Sequence, residues 1–201
     1  MEPIFYITST CSIQQSMLLL NGSMCYGGNN EPLSEFLKGA FKSLGISYSK
    51  FYKMDNLSKL AFLGAEYILP QQPHQEAVAL VFSNRSGSLD TDVKHQQSIQ
   101  DPANFYPSPA IFVYTLANIC TGEVSIRHGL QSENIFFVSA TFDAVTTWNY
   151  TQYLLQSGKA DKVLCGWVEL FEEQYKAVFY LVEKEGQLVH SIEHINQLFK
   201  D

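Results

Sequence analysis

The chain has 201 residues, 46% of them hydrophobic, 13% aromatic and only 16% charged. That length suits one domain or two small ones, and so many aromatics with so few charges exclude disorder as the main state. Thirteen basic against twenty acidic residues give a net charge of −7 with no basic stripe, which argues against nucleic acid as a partner.

The longest apolar runs, such as Met17–Leu20 and Ile135–Val138, fall far short of the ~18–20 residues a bilayer span requires. The four cysteines are Cys11, Cys25, Cys120 and Cys165. None stands at C-x-x-C spacing, so zinc and thioredoxin-type chemistry lack their signature, and no metal or cofactor is expected. Cys120 and Cys165 lie in apolar surroundings and read as buried thiols. Met1-Glu2-Pro3 lacks the basic and apolar regions of a signal peptide. The expected location is therefore a reducing cytoplasm, and the sequons at Asn21, Asn56, Asn84 and Asn149 are read as chance.

In chain order, Ile4–Thr8 reads as a strand and 21–32, rich in Gly and Asn, as a loop. Leu33–Leu44 and Leu57–Leu69 carry helical spacing, the second capped by Asp55 or Asn56. Glu76–Ser83 is apolar without alternation, which fits a strand covered on both faces. Asn84–Ser88 reads as a turn, and 107–130 holds one helical stretch ended by Gly129. Ile135–Ala140 is a second buried strand and Phe142–Ser157 a helix. Lys162–Leu170 and Tyr175–Glu183 form a hairpin about Glu172-Glu173, and an amphipathic His190–Phe199 closes the chain. This alternation is that of a layered α/β fold. Ala144–Ser157 carries no charged residue over about four turns, whereas a surface helix normally shows charges outward. Such a helix is expected to be buried all round, with another chain supplying cover.

Ser108–Gly129, SPAIFVYTLANICTGEVSIRHG, resembles the segment that precedes the catalytic cysteine in β-ketoacyl-acyl-carrier-protein synthases. Lys53-Met54-Asp55 is similar to that family's Arg-Met-Asp, and Ser86–Asp92 to its small-residue turn. Gly158-Lys159-Ala160-Asp161 with Gly166 and Glu169 is similar to its Gly-x-Ala-Asp and Gly-x-x-Glu, and Tyr6-Ile7 with Cys11-Ser12-Ile13 to its first strand and loop. The resemblance implies a thiolase-like half: a layered helix–sheet–helix with a five-stranded mixed sheet, one domain over 1–201. A complete enzyme of this family is about twice as long, a further implication of the resemblance, and its second half supplies the catalytic histidines.

Counting back from Gly158 without gaps places Ser139-Ala140-Thr141 on the family's Thr-Ala-Cys-like triplet, with Thr141 at the cysteine position. A hydroxyl needs a positioned general base that a thiolate does not, so condensation by this chain alone is not expected. The resemblance implies a non-catalytic synthase-like subunit in fatty acid, polyketide or aryl polyene-type assembly. Its expected partner is a full-length ketosynthase or a second copy, with an acyl carrier protein as a further partner. Substrate-pocket candidates are Phe112, Asn118, Ser139, Thr141 and Phe142. Dimer-interface candidates are Tyr114, Ile135, Phe136, Phe137, Val138 and Trp148.

Two alternatives stay open: a small acyl-thioester transferase or hydrolase working through Thr141 or His128, with Asp143 as another base, and a stand-alone acyl-chain-binding homodimer. Asp143 equally suits a helix N-terminus, and Phe142 equally suits core packing. Arg127-His128 reads as a structural hydrogen-bonding pair rather than an anion site. His190-x-x-x-His194 with Glu193 has a zinc-compatible spacing, but lacks the H-E-x-x-H order and a third ligand, so a solvated terminal helix is expected. Gly27-Gly28 and Ser86-Gly87-Ser88 match no nucleotide-binding pattern and read as turns.

Overall fold

The computed structural model describes residues 3–29, 31–69 and 77–200, so Met1, Glu2, Asn30 and Glu76 of the segments above lie outside the described residues. Strands β1 (Tyr6–Gln14), β2 (Met17–Leu20), β3 (Ser23–Gly27), β4 (Val78–Asn84), β5 (Asn134–Val138), β6 (Lys162–Phe171), β7 (Gln174–Glu183) and β8 (Leu188–Val189) form one mixed sheet. The order is β3-β2-β1-β7-β6-β4-β5, with β8 paired to β1. Helices α1 (Leu33–Ser43), α2 (Asn56–Ile68) and α5 (Ile119–His128) pack on one face. Helices α6 (Ala144–Gln156) and α7 (Ile192–Leu198) pack on the other. Between β4 and α5 lie α3 (Leu89–Ile99) and the short α4 (Pro109–Val113).

The sheet has eight strands, not five. The three extra ones come from the first thirty residues and from Leu188–Val189. Two tight turns fold the N-terminal segment into a meander: Gln15-Ser16, with φ of 49° and 55°, and Asn21-Gly22, with φ of 50° and 77°. Both central residues at positive φ match the right-handed twist of the flanking strands, and Asn-Gly is the strongest short hairpin signal. The segment read as a loop from residue 21 is therefore a turn followed by β3. A bulge between Ile7 and Ser9 changes the register of β1 against β7. It also moves the odd-numbered residues across the sheet: Phe5 and Ile7 face α6, while Cys11 and Ile13 face α2.

β4 is buried at every position because it lies between β6 and β5, parallel to both, with helices above and below. Asp55 accepts a 2.9 Å bond from the Ser58 amide and caps α2. Gly129, at φ 65°, ends α5. On α2, an added Cβ at Gly64 would lie 2.1 Å from the Phe179 ring, so glycine lets the helix and sheet approach around that phenylalanine. Burial of Cys120 and Cys165 is as expected.

Other expectations change. The stretch 107–130 is two helices, because Tyr114 to Asn118 breaks the helical path between α4 and α5. Leu89–Ile99 is a helix that begins directly after the turn expected at Asn84–Ser88. β5 is not buried: it is the last strand of the sheet and half-exposed, with Val138 61% exposed. Helix α6 buries Ala144, Thr147, Thr151, Leu154 and Leu155, but leaves Val145 and Tyr153 about half exposed. Packing on a single sheet covers one side only, so its outer face is uncharged and not covered by the described residues. No described helix is long and apolar enough to cross a membrane.

His190 precedes α7 rather than sharing a face of it with His194, and it is buried. Its amide donates to the Phe5 carbonyl at 2.9 Å, and its carbonyl accepts from Trp148 Nε1 at 3.0 Å. Burial lowers the imidazole pKa to about 4 from 6.5. Below pH 6.5 the unfolded chain binds this proton and the folded chain does not, so stability falls as pH drops from 6.5 to 4. The group adds no further loss below that window. The predicted loss is roughly 3 kcal/mol. Urea unfolding of wild type and His190→Leu at pH 7 and pH 4.5 checks this: the wild type should lose more stability than the variant, and equal losses would contradict it.

Candidate functional site

Open α/β sheets place ligands beyond the carboxyl ends of their parallel strands. In this chain β4, β5 and β6 are the parallel set. At their carboxyl end, Asn84 folds over the turn: its side chain accepts from the Gly87 amide at 2.8 Å and donates to the Gly87 carbonyl at 2.9 Å. Glu169, from β6, accepts from the amides of Arg85 at 2.7 Å and Ser86 at 3.2 Å and from the Ser86 hydroxyl. Ser88 Oγ donates to the Thr115 carbonyl at 2.9 Å. Thr91 Oγ1 donates to Asp55 at 2.9 Å, which ties α3 to the start of α2. These bonds fix the end of the sheet, the turn after β4 and the connection from α4 to α5 as one floor.

The corner between β5 and α6 stands on that floor. The Ser139 amide donates to the Asn84 carbonyl at 3.0 Å, and Ser139 Oγ to the Thr141 carbonyl at 2.8 Å. Thr141 is exposed at the tip. Asp143 caps α6, accepting from the Thr146 amide at 2.9 Å and from Thr146 Oγ1 at 2.6 Å. These bonds, the Thr146 hydroxyl foremost, hold its carboxyl below the usual range. Both oxygens serve the helix, and an acid so stabilised as an anion is a poor base. His128 is elsewhere: its Nε2 lies 3.4 Å from Glu66 in the last turn of α2, beside Arg127, whose Nη2 donates to Glu66 at 3.2 Å. The first turn of α2 lies at the carboxyl end of the sheet, so the helix carries His128 roughly 16 Å away from it. Arg127 and His128 are thus both held against Glu66. No thiol stands at the corner, and burial pushes Cys11 and Cys165 up to about 12 and Cys120 well above its ordinary value.

The other sequence candidates scatter. Phe142 stacks on Phe199 at 3.6 Å between ring centroids and meets Trp167 edge-on at 5.9 Å, so it packs against α7. Asn118 is exposed at the start of α5. Phe112 is 62% exposed on α4, near the exposed Val113 and Leu116. Tyr114 is buried in this chain. Its hydroxyl donates to Glu123 at 3.0 Å, and burial pushes its pKa up. Ile135 and Phe137 pack toward α6, Phe136 toward α2 and α5, and Val138 points outward. Trp148 is half-buried on His190. Sequence reasoning missed the bridging roles of Asn84, Ser88 and Thr91. The Asn-x-x-Gly and Ser-x-x-x-Asp spacings there were the available signals. Among the described residues no cluster of three or more His, Cys, Asp or Glu could hold a metal ion.

No protein-family model matches the sequence, and no curated protein matches it. Solved structures do match in shape. The ishigamide ketosynthase/chain length factor superposes with a TM-score of 0.63 at 16% identity, over 90% of this chain and 62% of that one. The complex of the ketosynthase ApeO with its chain length factor ApeC from Xenorhabdus doucetiae gives 0.60 at 17% identity, over 91% of this chain and 80% of the matched one. The complex AntDE:AntF, a type II polyketide acyl-carrier protein with its ketosynthase, gives 0.60 at 14%, over 90% and 62%. The chain thus spans about three-fifths of the length of two of these and most of the third. Its eight-stranded mixed sheet and layered helices are the thiolase-like fold shared by ketosynthases and chain length factors.

Proposed function

We propose that this chain is a non-catalytic ketosynthase-like subunit that pairs with a complete synthase and shapes its acyl pocket. The observation that carries this reading is β5. It ends the sheet, its five residues Asn134–Val138 carry no charge, and no described strand pairs its outer side. An apolar edge strand without proline, lysine or bulge is a template for another chain. The exposed aliphatic and aromatic residues of α4, with Phe105 and Tyr106 before it, add apolar surface, and large apolar patches of this kind mark interaction sites. The corner supports the non-catalytic part: Thr141 stands at the position the resemblance gives to the nucleophile, without Asp143 or His128 available as a base. The match in shape to one chain of the ApeO–ApeC complex supports a fold that can take part in such a pair. The product class would be a fatty acyl, polyketide or aryl polyene chain, and the carrier protein would dock on the pair.

Val138→Lys places a charge on the outward side of β5 at a site 61% exposed, so the fold should survive. Co-expressed with a full-length ketosynthase from the same organism, the wild type should elute with it as one complex by size exclusion with light scattering. The lysine variant should bind about tenfold more weakly or worse. Separate elution of the wild type would contradict the pairing. A self-paired dimer would support the interface with a second copy as the companion.

Incubation of the purified chain with acyl-carrier and acyl-pantetheine thioesters should give no acylated protein by intact mass and no thiol release above the buffer rate. Acylation lost in Thr141→Ala would establish the transferase or hydrolase reading instead.

A further inference from the structure

On the face of the sheet away from α2, the segment before β1, helix α6 and the junction of β8 with α7 enclose a cleft of about 400 Å3. Ile4, Phe5, Trp148, Val189 and Ile192 supply its apolar wall. Ile4 is 59% and Val189 41% exposed, so two aliphatic side chains stand at a rim where water would favour polar ones. The cleft lies beside the second and third turns of α6, away from the Thr141 corner at its start. Ligand sites commonly have about 300–1,000 Å3, mostly apolar walls and a few placed polar groups.

The polar groups here are few and uncharged. Gln156 Nε2 donates to Gln152 Oε1 at 3.3 Å, which turns the Gln152 amide nitrogen toward His190 Nδ1 at 3.4 Å. With Nδ1 as acceptor, the imidazole carries its proton on Nε2 and is neutral, in keeping with its lowered pKa. Ser191 Oγ accepts from the His194 amide at 3.2 Å, and its own proton remains for an acceptor in the cleft. Among the described residues, every side chain lining the cleft is therefore neutral. A charged ligand would lose its hydration with no opposite charge to meet it.

We propose that this cleft binds a neutral amphiphilic small molecule, an alkyl or aryl body bearing one hydroxyl or carbonyl oxygen that accepts from Ser191. The proposal is independent of the pairing through β5.

The test uses 1-octanol and octanoate as matched probes, below their aggregation limits, with Trp148 fluorescence as the readout. Octanol should shift the emission saturably, octanoate should bind roughly tenfold more weakly or worse, and Trp148→Phe should abolish the shift. Ile4→Asp puts a carboxylate on the exposed rim and should weaken octanol binding about tenfold, with an unchanged far-ultraviolet circular dichroism spectrum. Val189→Asp, at the opposite rim, decides the matter if Ile4→Asp does not fold. A linear, unsaturating response, equal responses to alcohol and carboxylate, or a response untouched by the rim variants would each overturn the proposal. So would an emission change that follows protein concentration alone, which would assign the cleft to a second copy of the chain.

Discussion

A strand that ends a sheet leaves a row of backbone amides and carbonyls without partners, and the two ends of this sheet treat that constraint differently. At one end, β3 meets β2 with a register shift between Leu18 and Leu19, which leaves Cys25 without a counterpart. A bulge of this kind twists an edge away from further pairing. At the other end, β5 pairs with β4 in unbroken register from Asn134 to Val138 and carries only neutral residues. One edge strand is bulged and the other is regular and uncharged. Our account of the protein as a subunit rests on that asymmetry more than on any single side chain.

The same end of the sheet is held together by a small set of polar side chains. Glu169, Asn84 and Ser88 hold the turn after β4 and the α4–α5 connection by charge-assisted and backbone bonds. The Ser139 amide on the Asn84 carbonyl ties the β5–α6 corner to that turn. What stands at the corner is a hydroxyl with Asp143 committed to the helix and His128 held on Glu66 at the far end of α2. Nucleophilic catalysis needs the attacking atom and its base within hydrogen-bond reach.

Much of the fold was legible in the sequence because local chemistry decided it. Asp55 caps α2, Gly129 ends α5, and the unalternating run from Val78 reads as a doubly covered strand for the same reason that it is one. Where the reading failed, distant contacts decided. The N-terminal meander turns on Asn21-Gly22, but its strands exist only because β7 offers β1 a long partner. Helix α3, with a mostly polar surface and only Thr91 buried, lacks the apolar stripe from which helices are recognised. The burial of β5 was misjudged because an apolar strand looks the same whether its cover comes from its own chain or another. His190 was placed on a solvated helix because nothing in its neighbours reveals that Phe5 and Trp148 close over it. At the candidate site the strand-to-helix corner between β5 and α6 was legible from spacing. The commitments of Asp143 and His128 were not, since those depend on which ends of the elements meet.

The most direct measurement is amide hydrogen exchange of the β5 segment, in the isolated chain and mixed with a full-length ketosynthase. Parallel pairing with β4 leaves outward amides of Asn134–Val138 open, so they should exchange quickly in the isolated monomer and slow markedly when the companion is present. Equal, rapid exchange in both samples would mean that no strand is added at this edge, and the account would fail there.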